Sequence, residues 1–319
     1  MDRLHQEVVR RLNAAWPRRA TVCHAASVTA ETTFDPLRPD YPPRLVPFYE
    51  HPAFASADPA LKARVLTWGW IGYNQRTITA EDCVVNPALH YIATELLDES
   101  DWDSMEAIRQ TLVDEHYHTL MHMRAVQETR RLRGLTERLH LPPSVTFRRL
   151  RAFQQPLQEA SEKALAAVAF ATVAEISVNA FLDILADDDS IQTANSDIAR
   201  MHNRDEYAHS KTLAEISKNI YVRLNDKQKA FFERALPEAL HAFVAQDYSM
   251  WEAILMQLNV PGARDIIADC QSAAAGKVIM RDYSGLHRFA SEMGIVDRLD
   301  FDFTGTTGTA HDEADAETA

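Results

Sequence analysis

Four acidic positions, two of them followed by histidine at helical spacing, constrain this chain more than any other feature. The stretches 115–118 and 202–209 each place a glutamate three residues before a histidine, on one face of a helix. Lone glutamates precede these motifs by 34 and 31 residues, about one helix, a turn and part of the next helix. The order Glu, Glu-x-x-His, Glu, Glu-x-x-His is that of the ligands in a carboxylate-bridged dimetal four-helix bundle. The candidate metal ligands are Glu81, Glu115, His118, Glu175, His202, Glu206 and His209.

Glu175 gives the physical reason to expect a metal. It lies in the most apolar stretch of the chain, residues 164–185. A carboxylate in a buried helix costs several kcal/mol unless it is paired or binds a cation. Two divalent ions balance four carboxylates, and oxygen and imidazole ligands without a thiolate suit iron or manganese better than structural zinc. We expect iron because of its oxygen chemistry.

Other residues near the motifs have weaker claims to a ligand role. Glu95 is the alternative to Glu81, but it precedes Glu115 by only 20 residues, a tight spacing for a helix, a turn and a return. His118 and His122 have the spacing to share a metal, although a position on the surface or outside the ligand set is favoured for His122 and for His116.

Asp114 and Asp205 each adjoin a candidate ligand, one in each motif. Carboxylates in such positions orient metal-binding imidazoles in many proteins. The alternative is that both lie on a solvated helix face, and the sequence favours neither.

Composition indicates a globular protein without a nucleic-acid-binding role. The chain has 319 residues, 46% of them apolar, enough to bury a substantial core. Its net charge of −13 at pH 7 argues against the clustered basic face that phosphate binding needs. Three widely spaced cysteines form no C-x-x-C pair, which is typical of reduced thiols in the cytoplasm. We expect no export, because the N-terminal residues alternate charged and apolar side chains instead of forming an apolar signal region. We expect no membrane span, because the most apolar segment carries Glu175.

The hydrophobic pattern predicts an all-α protein. Helices are predicted near 58–73, 77–98, 102–132, 148–186 with a break near Pro156, 195–222, 226–246, 248–257 and 262–293, with Pro237 and Pro261 as interruptions. We predict one domain over 1–303, comprising a helix and proline-rich arm in 1–57, the metal-binding bundle in 58–222 and C-terminal helices in 223–303. Residues 304–319 are predicted to be an acidic disordered tail. Asn86-Pro87 either kinks its helix or delays the start of that helix.

The motifs resemble those of the ferritin-like diiron N-oxygenases typified by p-aminobenzoate N-oxygenase, which make nitro groups on arylamines in natural-product pathways. The extra histidine, His202, separates this family from ferritin-like diiron oxidases with six protein ligands. The resemblance covers about residues 60–290 and implies a ferritin-like four-helix bundle with additional N- and C-terminal helices. It also implies a diiron oxygenase that uses two iron ions, O2 and external electrons to convert an amine to a hydroxylamine, nitroso or nitro compound.

The same resemblance implies a substrate site and partners. Arg76, five residues before Glu81, resembles the arginine that holds the substrate carboxylate in that family, whereas the alternative is a structural ion pair. Tyr73 lies beside it, and Asn179, one turn after Glu175, is a further candidate for the same cavity. The chain has no G-x-G-x-x-G fingerprint, so electrons are expected from a ferredoxin or similar reductase. A homodimer is the habit of the family.

Two alternative functions stay open at this point. On the same scaffold, the substrate could be an aliphatic amine or an amino acid instead of an arylamine, because the walls of the cavity cannot be assigned from the sequence. The non-enzymatic alternative is ferritin-like iron storage.

Overall fold

The computed structural model describes residues 3–27, 34–138, 140–273 and 283–303, and no strand occurs within these ranges. This confirms the all-α prediction. The helices in chain order are α1 Arg3–Arg19, α2 Pro52–Ala55, α3 Pro59–Ala80, α4 Asn86–Tyr91, α5 Trp102–Leu132, α6 Val145–Gln154, α7 Ala160–Ser177, α8 Asn179–Ala186, α9 Thr193–Arg223, α10 Asp226–Phe243, α11 Tyr248–Gln257, α12 Ala263–Ala273 and α13 Ser284–Glu292. The predicted acidic tail, 304–319, lies outside the described residues.

Four of these helices surround the site. α3 packs on α5, α5 packs on α9, and α9 packs on α7. The turn that follows α3 closes the ring by packing on α7. Each of the four helices therefore has one face toward the same central space.

The first helix of this ring continues without a break from Pro59 to Leu96, so the predicted interruption between residues 73 and 77 is wrong. The intervening stretch contains Asn74, Gln75 and Arg76, and Thr77 and Thr79 follow. In the structure the Asn74 amide and both threonine hydroxyls donate to carbonyls of the same helix, and Asn74 Nδ2 donates to Trp70 O at 2.7 Å. Because the helix satisfies these side chains itself, no turn is needed.

A π-helical turn, Glu81–Val85, carries Glu81 and precedes Pro87. Proline has no amide hydrogen to bond to the carbonyl four residues earlier. The backbone widens by one residue instead, and the Asn86 amide donates to Glu81 O. The helix therefore does not begin at Asn86-Pro87, and the π-helical turn is how it accommodates the proline.

The stretch from α6 to α8 contains the most apolar helix. Residues 155–159, which include Pro156, separate α6 from α7 as predicted, and a second, unpredicted interruption at Val178 separates α7 from α8. The stretch Ala160–Ala186 has the length and hydropathy of a membrane span, but 61% of its most apolar window is buried inside the protein. Since it also carries Glu175, it is the core helix of the bundle.

Two prolines in the C-terminal half behave differently. Pro261 lies between α11 and α12 as predicted, whereas Pro237 lies inside α10 without ending it, so that predicted interruption is wrong. Proline costs about 3 kcal/mol in a helix interior. Here α10 packs along α7, with Phe232, Leu236 and Leu240 buried in the core, and this burial offsets the cost. Of the predicted helix 262–293, residues 274–282 lie outside the described part.

The proline-rich arm fastens α11 to the bundle. Within residues 34–58, helical structure is limited to the short helical turns Pro43–Leu45 and Pro52–Ala55, and no long helix forms, as predicted. Phe48 and Phe54 are fully buried, and the Phe48 ring meets Trp251 of α11 edge-on with 5.6 Å between ring centroids. The arm thus contributes apolar contacts that a solvated linker would lack.

Gly69 of α3 lies against the Trp251 ring, where a side chain has no room. A methyl group at Gly69 would lie 2.8 Å from Trp251 Cη2, and Trp251 is 1% exposed. We expect Gly69→Ala to lower the free energy of unfolding by about 1–3 kcal/mol, despite the better helix propensity of alanine, because a buried indole cannot move aside. Urea denaturation measures this loss. Gly72→Ala is the matched control, since its methyl group meets the flexible tip of Met250, and equal stability of the two variants would contradict the prediction.

Candidate dimetal centre

Seven buried side chains converge in the central space of the bundle, and they are the seven candidate ligands that the motifs predict. The turn after α3 carries Glu81, α5 carries Glu115 and His118, α7 carries Glu175, and α9 carries His202, Glu206 and His209. Each of them is at most 6% exposed. Glu95, the alternative to Glu81, is exposed.

The inner atoms of these side chains form two groups that share one carboxylate. The first group is Glu115, His118, Glu206 and His209, and the second is Glu81, Glu115 and His202, with one atom of every member within 4.8 Å of the others in its group. Glu175 Oε2 lies beside the first group, 3.7 Å from His209 Nδ1. Two groups joined by a carboxylate are what a carboxylate-bridged pair of cations requires.

Two of the three imidazoles direct one ring nitrogen into this cluster and the other to a buried aspartate. His118 Nδ1 lies 3.0 Å from Glu115 Oε2, and His118 Nε2 lies 3.2 Å from Asp205 Oδ2. His209 Nδ1 lies 2.7 Å from Glu115 Oε1, and His209 Nε2 lies 3.0 Å from Asp114 Oδ2. The aspartate accepts a hydrogen bond from the outer ring nitrogen, which therefore carries the hydrogen. The inner nitrogen is left with a lone pair that can bind a cation.

Asp114 and Asp205 are held in turn by the N-terminal segment. Trp16 Nε1 donates to Asp114 at 3.0 Å, and the Thr21 amide donates to Asp205 at 3.1 Å. Arg19 Nη1 lies 3.4 Å from Asp205 Oδ1. Both aspartates are fully buried, so the solvated-face alternative is wrong. Sequence reasoning missed the N-terminal contribution because the partners are 98 and 184 residues apart and no motif joins them.

His202 is backed by another histidine. Its Nε2 lies 2.9 Å from Glu206 Oε1 in the cluster, and its Nδ1 lies 2.9 Å from Nε2 of His122. His122 Nδ1 lies 2.7 Å from Asn74 Oδ1. His122 is fully buried behind the cluster, whereas His116 is exposed. The structure therefore places His122 outside the ligand set, in contact with one of its members.

Burial and mutual repulsion raise the pKa values of two carboxyl groups in the cluster, whereas the imidazoles lower that of a third. Burial, followed by the charge of Glu115, raises the pKa of Glu81 well above its usual range, and burial, followed by the charge of Glu206, does the same to the pKa of Glu175. Burial also opposes ionisation of Glu115, but the neighbouring imidazoles outweigh it and lower the pKa of Glu115 to about 2. The site thus holds more carboxylates than its imidazoles can balance.

The donor set fits a pair of divalent cations. Within the described part of the chain, the Oε2 atoms of Glu81, Glu175 and Glu206 are buried without a hydrogen-bond partner. Each such oxygen costs several kcal/mol unless a cation satisfies it. The seven donors are carboxylates and imidazoles without a thiolate, a set that iron and manganese accept. Two divalent ions would also balance the four carboxylate charges.

A cavity of about 150 Å³ lies next to Glu81 and His202, which form part of its wall. Its large aromatic side chains are Tyr41, Tyr73, Phe181, Phe243 and Trp251. Tyr73 and Arg76, two of the three candidate substrate-binding residues, line this cavity. Arg76 Nε lies 3.9 Å from Asp247 Oδ2, too far for a hydrogen bond, and neither atom has another partner among the described residues. The guanidinium of Arg76 therefore has unused donor capacity at the cavity.

Asn179, the third candidate, is not among the described residues that line the cavity. Its side-chain amide donates to Asn203 Oδ1 at 2.8 Å, and Asn203 in turn donates to Asp183. The predicted position one turn after Glu175 is correct, but the neighbouring amide on α9 holds the side chain away from the cavity. Asn179 is therefore not part of the cavity wall as the structure describes it.

A helical ring that buries four glutamates and three histidines in two groups of possible metal ligands, beside an aromatic cavity, is an arrangement that metal-dependent enzymes use. The family model described as p-aminobenzoate N-oxygenase AurF matches residues 2–294. A 4-aminobenzoate N-oxygenase of Streptomyces thioluteus is 41% identical over 298 residues, which cover 92% of this chain and 88% of the relative. The chain belongs to the p-aminobenzoate N-oxygenase AurF family and is an N-oxygenase. The resemblance to this family is confirmed. Because the family consists of N-oxygenases, membership supports an enzyme rather than the alternative of an iron-storage protein.

Proposed function

We propose that the protein uses two iron ions and dioxygen to oxidise the amino nitrogen of an arylamine that carries a carboxylate. The observation that carries the proposal is the position of Arg76 relative to the ligand cluster. Arg76 precedes Glu81 by five residues on one continuous helix, about 7.5 Å along its axis at the usual helical rise. Both side chains line the same cavity, so one small molecule bound there can meet the guanidinium at one end and the ligand cluster at the other.

In this arrangement the residues of the cavity orient the substrate. Arg76 binds the carboxylate through its guanidinium hydrogens, and the aromatic walls pack against the ring and exclude water. The Tyr73 hydroxyl is buried and has no hydrogen-bond partner within the described residues. Burial raises the pKa of Tyr73, so the phenol stays protonated and can donate to the substrate carboxylate. The amino group then lies toward Glu81 and His202.

When bound, the two iron ions supply the activation of dioxygen. One round of oxidation consumes R–NH2, O2, two electrons and two protons, and it yields R–NHOH and water. The electrons come from a one-electron donor such as a ferredoxin or a similar reductase, because the chain carries no flavin or nicotinamide fingerprint. Further rounds lead to the nitroso and nitro levels.

The setting of the reaction follows from the same features. The aromatic wall of the cavity favours an arylamine over an aliphatic amine or an amino acid. The family resemblance suggests natural-product biosynthesis and a homodimer. The free thiols of Cys23, Cys83 and Cys270 support a cytoplasmic location.

Reconstitution with ferrous iron under anaerobic conditions, followed by reductant, oxygen and 4-aminobenzoate, tests the proposal. We expect about two irons per chain, as in other carboxylate-bridged bundles, and mass spectrometry of the product mixture should show oxygen added to the amino nitrogen. 4-(Aminomethyl)benzoate is the matched control, because it keeps the carboxylate but makes the amine aliphatic and moves it one carbon outward. Faster conversion of this control would favour the aliphatic alternative, and a failure to take up iron would overturn the metal assignment.

A further inference from the structure

We propose that Asn74 and His122 are positioning residues that fix the tautomer of His202, so that the His202 Nε2 lone pair faces the cation position beside the substrate cavity. The proposal rests on the dimetal centre of the proposed function and extends it to two residues outside the ligand set. His202 and Glu81 are the candidate ligands that line the cavity. The tautomer of His202 therefore decides whether the cavity side of the centre has an imidazole ligand.

The first step is the orientation of the Asn74 amide. Asn74 Nδ2 lies 2.7 Å from Trp70 O, and a backbone carbonyl can only accept a hydrogen bond. The amide nitrogen must therefore face Trp70, which directs Oδ1 of Asn74 toward His122. Asn74 Oδ1 lies 2.7 Å from His122 Nδ1 and can also only accept, so Nδ1 of His122 carries the hydrogen.

The second step passes this assignment to His202. A neutral imidazole with its hydrogen on Nδ1 has a lone pair on Nε2. His122 Nε2 therefore accepts from His202 Nδ1 at 2.9 Å, and His202 carries its hydrogen on Nδ1. His202 Nε2 is left with a lone pair, 2.9 Å from Glu206 Oε1 and 3.9 Å from Glu81 Oε1. A lone pair next to two carboxylate oxygens is stable when a cation lies against all three.

The tautomers of His118 and His209 are fixed without a chain of hydrogen bonds through a second histidine. His118 and His209 are backed by Asp205 and Asp114, which as carboxylates can only accept. His122 can either donate or accept through Nε2, so it specifies the tautomer of His202 only when a third group fixes its own. Asn74 and His122 are fully buried and His202 is 1% exposed, so bulk water has no access to replace either partner.

Cobalt(II) binding to the purified full-length protein tests the proposal, because Co2+ accepts imidazole and carboxylate ligands and its visible absorption reports their number. We expect the wild type to bind about two ions per chain, as the bundle class does. His122→Leu should weaken one of the two ions by about 10–100-fold, the usual cost of losing an outer partner of a metal ligand. His122→Gln should restore most of this affinity, because its amide can accept from His202 Nδ1 and donate to Asn74.

Two results separate this proposal from the one on which it rests. A wild type that binds no cobalt would overturn the dimetal centre and this proposal with it. If the wild type binds two ions and His122→Leu binds both with the same affinity, the positioning role alone is overturned. The same conclusion follows if His122→Leu and His122→Gln lose equal cobalt affinity.

Nitrogen NMR of zinc(II)-loaded protein labelled with 15N-histidine gives a second readout, which does not depend on the folding of a His122 variant. We expect the wild-type spectrum to show the Nδ1–H tautomer for His122 and His202. In Asn74→Leu the His122 tautomer should become mixed, since its Nδ1 has lost the acceptor. A wild-type His122 with its hydrogen on Nε2 would refute the proposed chain of hydrogen bonds.

Discussion

Glu175→Gln is expected to remove at least one cation from each chain and to abolish most N-oxygenation. The substitution keeps the volume of the side chain but removes a charge from a helix segment that is otherwise apolar and buried. The loss in metal affinity should exceed the roughly 10–100-fold that loss of an outer partner of a ligand costs. Metal analysis after reconstitution and the rate of 4-aminobenzoate oxidation measure the two effects.

The same variant has a signature that distinguishes lost binding from unfolding. Without a cation, Glu175 is destabilised by burial and by the charge of Glu206, so glutamine should leave the metal-free protein at least as heat-stable as the wild type. Glu162→Gln is the matched control, because Glu162 lies on the same helix and pairs with Lys227 at 2.9 Å away from the cluster. Full iron content in Glu175→Gln would remove Glu175 from the ligand set.

Arg76→Leu is expected to lower kcat/KM for 4-aminobenzoate by about 10- to 100-fold, because hydrogen bonds to a charged group contribute roughly 1.5–3 kcal/mol. Aniline, which lacks the carboxylate, should be oxidised by the variant and by the wild type at similar rates. The substitution leaves Asp247 paired with Arg148 at 3.2 Å and with Ser249, so it does not strand a buried charge. Steady-state kinetics with the two substrates measures the difference.

Arg64→Leu provides the control for Arg76→Leu. Arg64 lies on the same helix but pairs with Glu137 at 2.6 Å on the surface, so its loss should change neither substrate. If Arg76→Leu slowed 4-aminobenzoate and aniline equally, Arg76 would have a structural role through Asp247 rather than a role in substrate binding.

Helical periodicity was sufficient to predict which side chains of one helix share a face. Residues three, four and seven apart lie on one helix face whatever the surroundings, so Glu115 and His118 project together from α5, and the motif residues of α9 project together from α9. The starts of the predicted helices 102–132 and 248–257 agree with the structure. α5 and α11 begin directly after Asp101 and Asp247, whose carboxylates accept backbone amides of the first turn.

Features that depend on packing could not be predicted in this way. Pro237 remains inside α10 because burial against α7 outweighs its local cost, and local rules do not include that burial. Asn179 has the spacing of a cavity residue, but an amide 24 positions later holds it. The support that Trp16 and Asn74 give to the site depends on contacts between distant segments, which leave no periodic signal in one sequence.

The cavity is built from two sets of elements that can change independently. Glu81 and His202 come from the helices that carry the candidate ligands, whereas Phe181, Phe243 and Trp251 come from α8, α10 and α11, which carry none. An inserted residue in a ligand helix would rotate everything beyond it by about 100° and dismantle the centre. A substitution at Phe181 or Phe243, which are only partly buried, changes the shape that a substrate meets and leaves every candidate ligand in place. Substitutions in the aromatic wall can therefore change the substrate range, both among relatives and in the laboratory. The candidate ligands, and with them the oxidation chemistry, need not change.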